Sequence, residues 1–199
     1  MRFTRFLSLS VAAAILLAGC ATTATTTPQS SQPPSPSATE PSATEPAPSP
    51  SEAFTAGAPE GQCLTANIAV SVAEADASAG HLHYVVTFTN KGEACVLKGF
   101  PTFQVTRDGA PLGLVAEDDS SAVPALVTLA AGGTAVAALT AINLGFDGGP
   151  LGDACAILEG NAVSVTPPHS TIAIPVTPLN FMACANDVPW MTIGPISPS

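Results

Sequence analysis

Positive charge is the scarcest property of this chain. Five lysines and arginines face fifteen aspartates and glutamates, a formal net charge of −10. Arg2 and Arg5 lie at the extreme N-terminus, so only Lys91, Lys98 and Arg107 serve everything after them. Three scattered cations cannot build the basic patch that a phosphate backbone requires, and no nucleic acid is expected as a partner. Aromatics are also few, 5% of residues, with one Trp and one Tyr. There is no apolar run of the ~20 residues that crosses a bilayer as a helix, and no long segment with helical periodicity. Gly-x-Ser-x-Gly, the phosphate loop Gly-x-x-x-x-Gly-Lys and a Gly-x-Gly-x-x-Gly leading into a helix are all missing. No catalytic constellation is left to argue from. The chain therefore reads as a non-enzyme without a cofactor.

What is present begins with an address. Met1 to Gly19 joins a basic head, Arg2 and Arg5, to a short apolar core that includes Val11-Ala12-Ala13-Ala14-Ile15-Leu16-Leu17, and then to the small pair Ala18-Gly19. That order is a secretory signal, with a core too short to span a membrane. The ending Leu17-Ala18-Gly19-Cys20 resembles the lipobox of bacterial lipoproteins. The resemblance implies that Cys20 carries a diacylglyceryl group and becomes the first mature residue after cleavage. Two acyl chains hold a protein on a membrane, at ~0.8 kcal/mol per buried CH₂, where one chain holds it only marginally. The expected location is thus the outer face of the cell membrane, with the membrane itself a partner through the lipid on Cys20. An ordinary signal cleaved near Ala18 is the alternative. It would leave Cys20 as a spare exported thiol, an unusual thing.

From Cys20 to Pro59 the composition turns to Ser, Thr, Ala, Pro and Glu, with Phe54 the one large apolar side chain. Pro36-Ser37-Ala38-Thr39-Glu40 is repeated at once as Pro41-Ser42-Ala43-Thr44-Glu45. Such a segment cannot bury enough apolar surface to offset its ordering entropy, and a disordered linker is expected over residues 20–59. Prolines favour the extended form at ~3.1 Å per residue, so some 40 residues would reach on the order of 100 Å at full stretch. The Ser/Thr-Pro content also permits O-glycosylation.

Residues 60–199 make a normal single-domain length, enough to bury roughly two-thirds of the unfolded surface. With Arg2 and Arg5 removed, fifteen acids against three bases leave about −12, which an anionic membrane surface would repel. Four cysteines lie here, Cys63, Cys95, Cys155 and Cys184. An even number in an exported domain reads as two disulfides. Of three possible pairings the sequential one is expected, Cys63–Cys95 and Cys155–Cys184. Each bridge then closes a loop of about thirty residues, worth ~3–4 kcal/mol in the chain-entropy account. A four-cysteine zinc site competes poorly without the short paired spacings it needs.

The periodicity is that of strands. In His81 to Thr89, Leu82, Tyr84, Val86 and Phe88 alternate onto one face. Ile68 to Val72 alternates before it. Phe103 to Thr106, the turn signal Asp108-Gly109 and Leu112 to Val115 read as a hairpin. Val127 to Leu129, Gly132-Gly133 and Thr134 to Ile142 read as a second hairpin. Val163 and Val165 face Ile172 and Ile174 across Pro167-Pro168-His169-Ser170, and Met191 and Ile193 supply a last strand. Ala116 to Ala125 and Gly148 to Leu158 each have room for one loose turn. About eight short strands between Gly/Pro turns predict an all-β, immunoglobulin-like β-sandwich stapled by two disulfides, with an up-and-down barrel as the alternative.

On these residues the domain resembles the family called domain of unknown function 4232, found in secreted proteins and lipoproteins of actinobacteria. The likeness runs from Cys63 through Phe88-Thr89-Asn90-Lys91-Gly92, Cys95-Val96-Leu97-Lys98-Gly99-Phe100-Pro101, Leu112-Gly113 and Leu129-Ala130-Ala131-Gly132-Gly133. It continues through Cys155, Val165-Thr166-Pro167-Pro168 and Cys184 to Gly194-Pro195. Ala131 departs from it, since the family often has Pro there. The resemblance implies a fold and a location rather than an activity. Its motifs have structural explanations: Asn90 and Gly92 suit a turn with positive φ, while Phe100 would fill the core and Pro101 would lie on a strand edge.

Few residues suggest ligand chemistry. His81 and His83 are two apart on one strand and so share a face at roughly 7 Å, a spacing that fits a shared metal or simply a polar outer face. A third ligand such as His169 has no assigned place. Glu117-Asp118-Asp119 is a loop carboxylate run of the kind calcium takes and also of the kind that is merely solvated. The acidic, Gly-rich Asp147 to Asp153 has the same two readings. Neither pattern is specific enough to assign a metal. The leading expectation is a non-enzymatic module that binds a cell-envelope protein, a cell-wall component or a small ligand through a loop end or an apolar seam. A carrier for a small apolar ligand comes second, and a hydrolase third.

Overall fold

The computed structural model describes residues 52–177 and 179–199; the signal segment, Cys20 and nearly all of the linker lie outside them. Fourteen strands lie, in order, among the described residues. They are β1 (Ile68–Ser78), β2 (His81–Asn90), β3 (Cys95–Leu97), β4 (Thr102–Arg107), β5 (Ala110–Pro111), β6 (Glu117–Asp118), β7 (Val127–Leu129), β8 (Thr134–Ile142), β9 (Ile157–Gly160), β10 (Ala162–Thr166), β11 (Ile174–Val176), β12 (Phe181–Cys184), β13 (Met191–Ile193) and β14 (Ser197–Pro198). The described helical elements are two short 3-10 segments, Thr65–Asn67 and Gly149–Ala154. Among the described residues no helix is long and apolar enough to cross a membrane.

The larger sheet runs β1-β2-β8-β13-β6, with β14 also on β8, and the second runs β11-β10-β4-β5. Their inner faces make one core. Val86, Phe88, Ala135, Ala137 and Leu139 from the larger sheet, and Phe103, Val105, Val163 and Val165 from the smaller, are all fully buried in it. This is an immunoglobulin-like β-sandwich, two sheets, antiparallel but for the β13–β6 pair, over a shared apolar layer. The alternation in β2 explains its place: Val86 and Phe88 point in, and the strand lies at the centre between β1 and β8. Large residues of β2 sit beside small ones of β8, Phe88 against Ala135, Val86 against Ala137 and Leu82 against Ala141. Pairing large with small lets the layer fill without overpacking.

Two smaller ladders complete the fold, β3 with β7 and β9 with β12. The disulfides fasten them. Cys63–Cys95 ties the chain before β1 to the first residue of β3, and Cys155–Cys184 ties the approach to β9 to the end of β12.

Some expectations change. Val127–Leu129 and Thr134–Ile142 are not a hairpin: β7 pairs with β3, whereas β8 pairs with β2 and β13. Asn90 sits at the parting. It is fully buried, and its Nδ2 donates to the carbonyls of Leu129 and Ala130, pulling the turn after β7 against the end of β2. Neither Asn90 nor Gly92 is among the positive-φ residues. Gly92 is needed because a Cβ there would run into the Asn67 amide. Phe100 is only half-buried and stays out of the core, which Phe103 enters instead, and Pro101 is buried rather than at an exposed edge. Glu117 and Asp118 are not loop residues but form β6, parallel to β13. Leu112 to Val115 lies outside the strands, leaving only Ala110–Pro111 to pair with β4.

The N-terminal edge of the described chain belongs to the domain. The Glu52 carboxylate accepts hydrogen bonds from the Thr65 backbone N–H, the Thr65 hydroxyl (2.6 Å) and the Ser170 hydroxyl (2.7 Å). Thr55 N–H donates to the His169 carbonyl at 2.8 Å. Residues whose composition groups them with the linker are thus clasped to the sandwich.

Candidate functional site

The β1–β2 hairpin turns through Ala79 and Gly80, both at positive φ, the two-residue geometry that matches strand twist. Beside it the chain leaves β8. Asn143 N–H donates to the Gly80 carbonyl at 2.8 Å, and Ile142 N–H donates to the Trp190 carbonyl at 2.9 Å. These bonds bring the 143–146 loop and Trp190 to one end of the larger sheet.

A cleft of about 250 Å³ opens there, walled by Leu82, Tyr84, Ile142, Phe146, Phe181 and Trp190, with Asn143 and Asn180 also lining it. A second hollow of about 190 Å³ shares Ile142 and Trp190 with it and extends to His81 and Glu117. In a chain with one Trp and one Tyr, both line the same cleft. Tyr84 and Phe181 pack with ring centroids 4.7 Å apart, and Phe181 meets Trp190 edge-on at 6.0 Å. Phe146 is 96% exposed at the mouth, where a large ring costs apolar surface with nothing to cover it. No lysine or arginine lines either hollow.

Trp190 is 4% exposed, and its buried indole N–H has no hydrogen-bond partner. Such a group forfeits roughly 1–3 kcal/mol until an acceptor reaches it. Tyr84 adds a second donor. Burial, helped by the nearby Glu74 charge, pushes its phenol up to about 12, so the hydroxyl keeps its proton at any physiological pH. Because the chain has one tyrosine, phenolate absorbance titrates a single site. Its midpoint is expected near 12 rather than the usual 10. Raised in the folded state, this pKa lets the native chain hold its proton longer than the unfolded one. Stability from it is therefore complete below about pH 10 and drains away as pH climbs through about 12. Tyr84→Phe removes that alkaline slope; an ordinary midpoint near 10 would mean the phenol is not buried in the cleft wall.

The remaining candidates do not converge. His83 is held by Ser78 Oγ (2.9 Å) and Thr140 Oγ1 (3.2 Å), while His81 bonds the Ala79 carbonyl through Nδ1 at 3.2 Å. His169 lies on the far side of the chain's clasp, its carbonyl bound by Thr55 and its ring near Gly57 and Gly99. Glu117 and Asp118 alternate along β6, so their carboxylates diverge. Asp119 is satisfied by the Ser121 hydroxyl (2.6 Å) and N–H (3.0 Å), which hold its carboxyl below the usual range. Asp147 accepts from Gly149 N–H at the start of the 3-10 segment. Among the described residues no three His, Cys, Asp or Glu side chains come together as a metal would require. A wider depression of about 420 Å³ beside Cys95 is lined by Gly61, Gln62, Leu64, Asn67 and Glu93 and has no aromatic wall.

Sequence reasoning missed the cleft. Its walls come from β2, the loop after β8, β12 and the approach to β13, so no local pattern marks it. The one available signal is rarity, a lone Trp and a lone Tyr in an aromatic-poor chain.

The sequence model of the family described as Domain of unknown function (DUF4232) matches residues 63–197. The chain belongs to this family. The matched span runs from the first disulfide cysteine to the last strand, so the DUF4232 domain and the sandwich are one object. No curated protein and no solved structure matches the chain.

Proposed function

We propose that this chain is an exported lipoprotein, fixed to the outer face of the cell membrane through lipid on Cys20, whose DUF4232 domain is a non-enzymatic binding module for a cell-envelope component. The observation that carries the binding role is the cleft around Trp190: an apolar hollow, open to solvent, walled by the lone Trp and the lone Tyr with the exposed Phe146 ring at its mouth. Concave apolar sites with a few polar groups are where proteins hold ligands. The anchoring role rests on Leu17-Ala18-Gly19-Cys20 and the short apolar core before it. The scarcity of cations argues against anionic polymers as partners. A carrier for a purely apolar molecule fits less well, because Asn143 and Asn180 put polar groups in the lining.

Cys20→Ala is expected to move the protein from the membrane fraction to the soluble or secreted fraction almost completely, since stable anchoring needs the acyl chains. Persistence in the membrane fraction would reject the lipid anchor. For binding, the immobilised full chain is expected to retain solubilised envelope fragments from its own host. Failure to retain any would reject the module reading.

A further inference from the structure

We infer that the hollow adjoining the cleft takes a lysine side chain of an envelope peptide, its ammonium on Glu117 and its carbon stem along Ile142. The inference rests on this end of the domain being the binding surface, and goes beyond it in naming what binds. The hollow, about 190 Å³, lies on the outer face of the larger sheet. Thr140 and Ile142 alternate with the buried Leu139 and Ala141 of β8, so they stand on that face. His81 pairs with Ile142, Thr192 with Thr140, and Glu117 with Thr192, which puts all three on the same face.

The polar groups at the rim are acceptors. His81 and Glu117 are exposed and line the hollow from opposite sides. In the order β2-β8-β13-β6 they are three strand spacings apart, about 14 Å at the backbone. His81 Nδ1 meets the Ala79 carbonyl at 3.2 Å. A carbonyl only accepts, so this nitrogen carries the proton and the neutral ring leaves Nε2 bare as an acceptor. Glu117 stands outside the one ion pair among the described residues, Arg107 with Asp108. No lysine or arginine lines the hollow, so complementarity calls for a cation. A zinc ion would be short of ligands, because among the described residues no third His, Cys, Asp or Glu joins these two. The cation is therefore organic. Between the two acceptors the wall is apolar, with half-buried Ile142 and exposed Pro189. A lysine lays its four-carbon stem on such a wall and keeps its head in water. Its ammonium has three donors, which Glu117 and the exposed Thr192 hydroxyl beside it can share. A guanidinium would bring five donors to the same few acceptors. His81 Nε2, across the stem, is left for a peptide N–H, and that favours a lysine residue over a free diamine.

The test uses the full chain and the ring C–H signals of His81, picked out from those of three histidines by His81→Gln. Millimolar Nα-acetyl-lysine methylamide is compared with Nα-acetyl-norleucine methylamide, which has the stem without the charge, and with cadaverine, which has the charge without the peptide N–H. The expected result is a saturable shift with the lysine probe, none with norleucine, and several-fold weaker binding of cadaverine. Glu117→Gln, at an exposed position, should weaken the lysine probe about two- to fivefold, the size of a solvent-exposed ion pair. Thr192→Lys, also exposed, should abolish binding by setting the chain's own ammonium beside Glu117. Unchanged affinity in both variants overturns the assignment. An equal response to norleucine overturns the role of the cation, and an equal affinity for cadaverine overturns the peptide source. Envelope fragments whose primary amines have been acetylated should be retained several-fold less than untreated ones; equal retention, with His81 silent to every probe, overturns the inference and leaves the binding module standing. No retention of untreated fragments removes the module itself.

Discussion

Gly113→Ala is expected to cost about 2–5 kcal/mol and to leave much less folded domain at physiological temperature, because two penalties fall on one atom. Gly113 has φ +59°, where an L-residue is strained by roughly 1–2 kcal/mol. Its added Cβ would also land on the Cys184 carbonyl and close against the Asn186 carbonyl. Neither side can give way. Cys184 is held by its disulfide and by the β9–β12 ladder. The chain around Gly113 is fastened to β4 by Leu112 N–H on the Val105 carbonyl and Ala116 N–H on the Phe103 carbonyl, each 2.9 Å. Overpacking of this kind adds roughly 1–3 kcal/mol. Gly109→Ala separates the two terms. It has φ +81° but open space around the new Cβ, so it should lose only the ~1–2 kcal/mol of backbone strain. Denaturant midpoints measure both, and equal losses would show that the contact with Cys184 is not what demands glycine.

Asn90→Ala is the second large effect, expected at ~3 kcal/mol or more. The side chain is fully buried at the junction of three segments. Its Nδ2 donates to the carbonyls of Glu93 (2.7 Å), Ala130 (3.1 Å) and Leu129 (3.3 Å), and its Oδ1 accepts from Gly92 N–H at 2.9 Å. Alanine leaves the buried Leu129 carbonyl unsatisfied, at ~1–3 kcal/mol, and loses the part-buried bonds to Glu93, Ala130 and Gly92, each worth roughly 0.5–1.5 kcal/mol. Asn90→Asp keeps the shape yet turns an acceptor toward three carbonyls, so it should be at least as harmful. The loss should be local at first: amides of Gly92 and of Gly132, which donates to the Asn90 carbonyl, should exchange faster than those of β8. A cost below about 1 kcal/mol would mean that the side chain decorates the junction rather than holding it.

Asn90 also shows what the sequence could convey. Its place at the end of a clear strand is legible, because alternation in Leu82, Tyr84, Val86 and Phe88 reports a half-buried strand directly. The two disulfides were legible from cysteine parity and export, and the expected sequential pairing, with its two short loops, is the one formed. That β7 and β8 join different sheets beside Asn90 was not legible, because two apolar runs around Gly132-Gly133 look the same whether they pair or part. Glu117-Asp118 resembled a solvated loop because a two-residue strand has no period to read. Phe100 and Phe103 have equal apolar appeal, but Phe103 lies within β4, alternating inward with Val105, and Phe100 lies before the strand begins. The cleft depends on four distant segments meeting, information that exists only in the fold.

The central claim, that the Trp190 cleft is where this domain meets the cell envelope, is tested most directly by the intrinsic emission of the single tryptophan during titration with solubilised envelope fragments. A saturable change in Trp190 emission should follow fragment binding measured by co-sedimentation. Fragments that bind while the emission stays constant would contradict it.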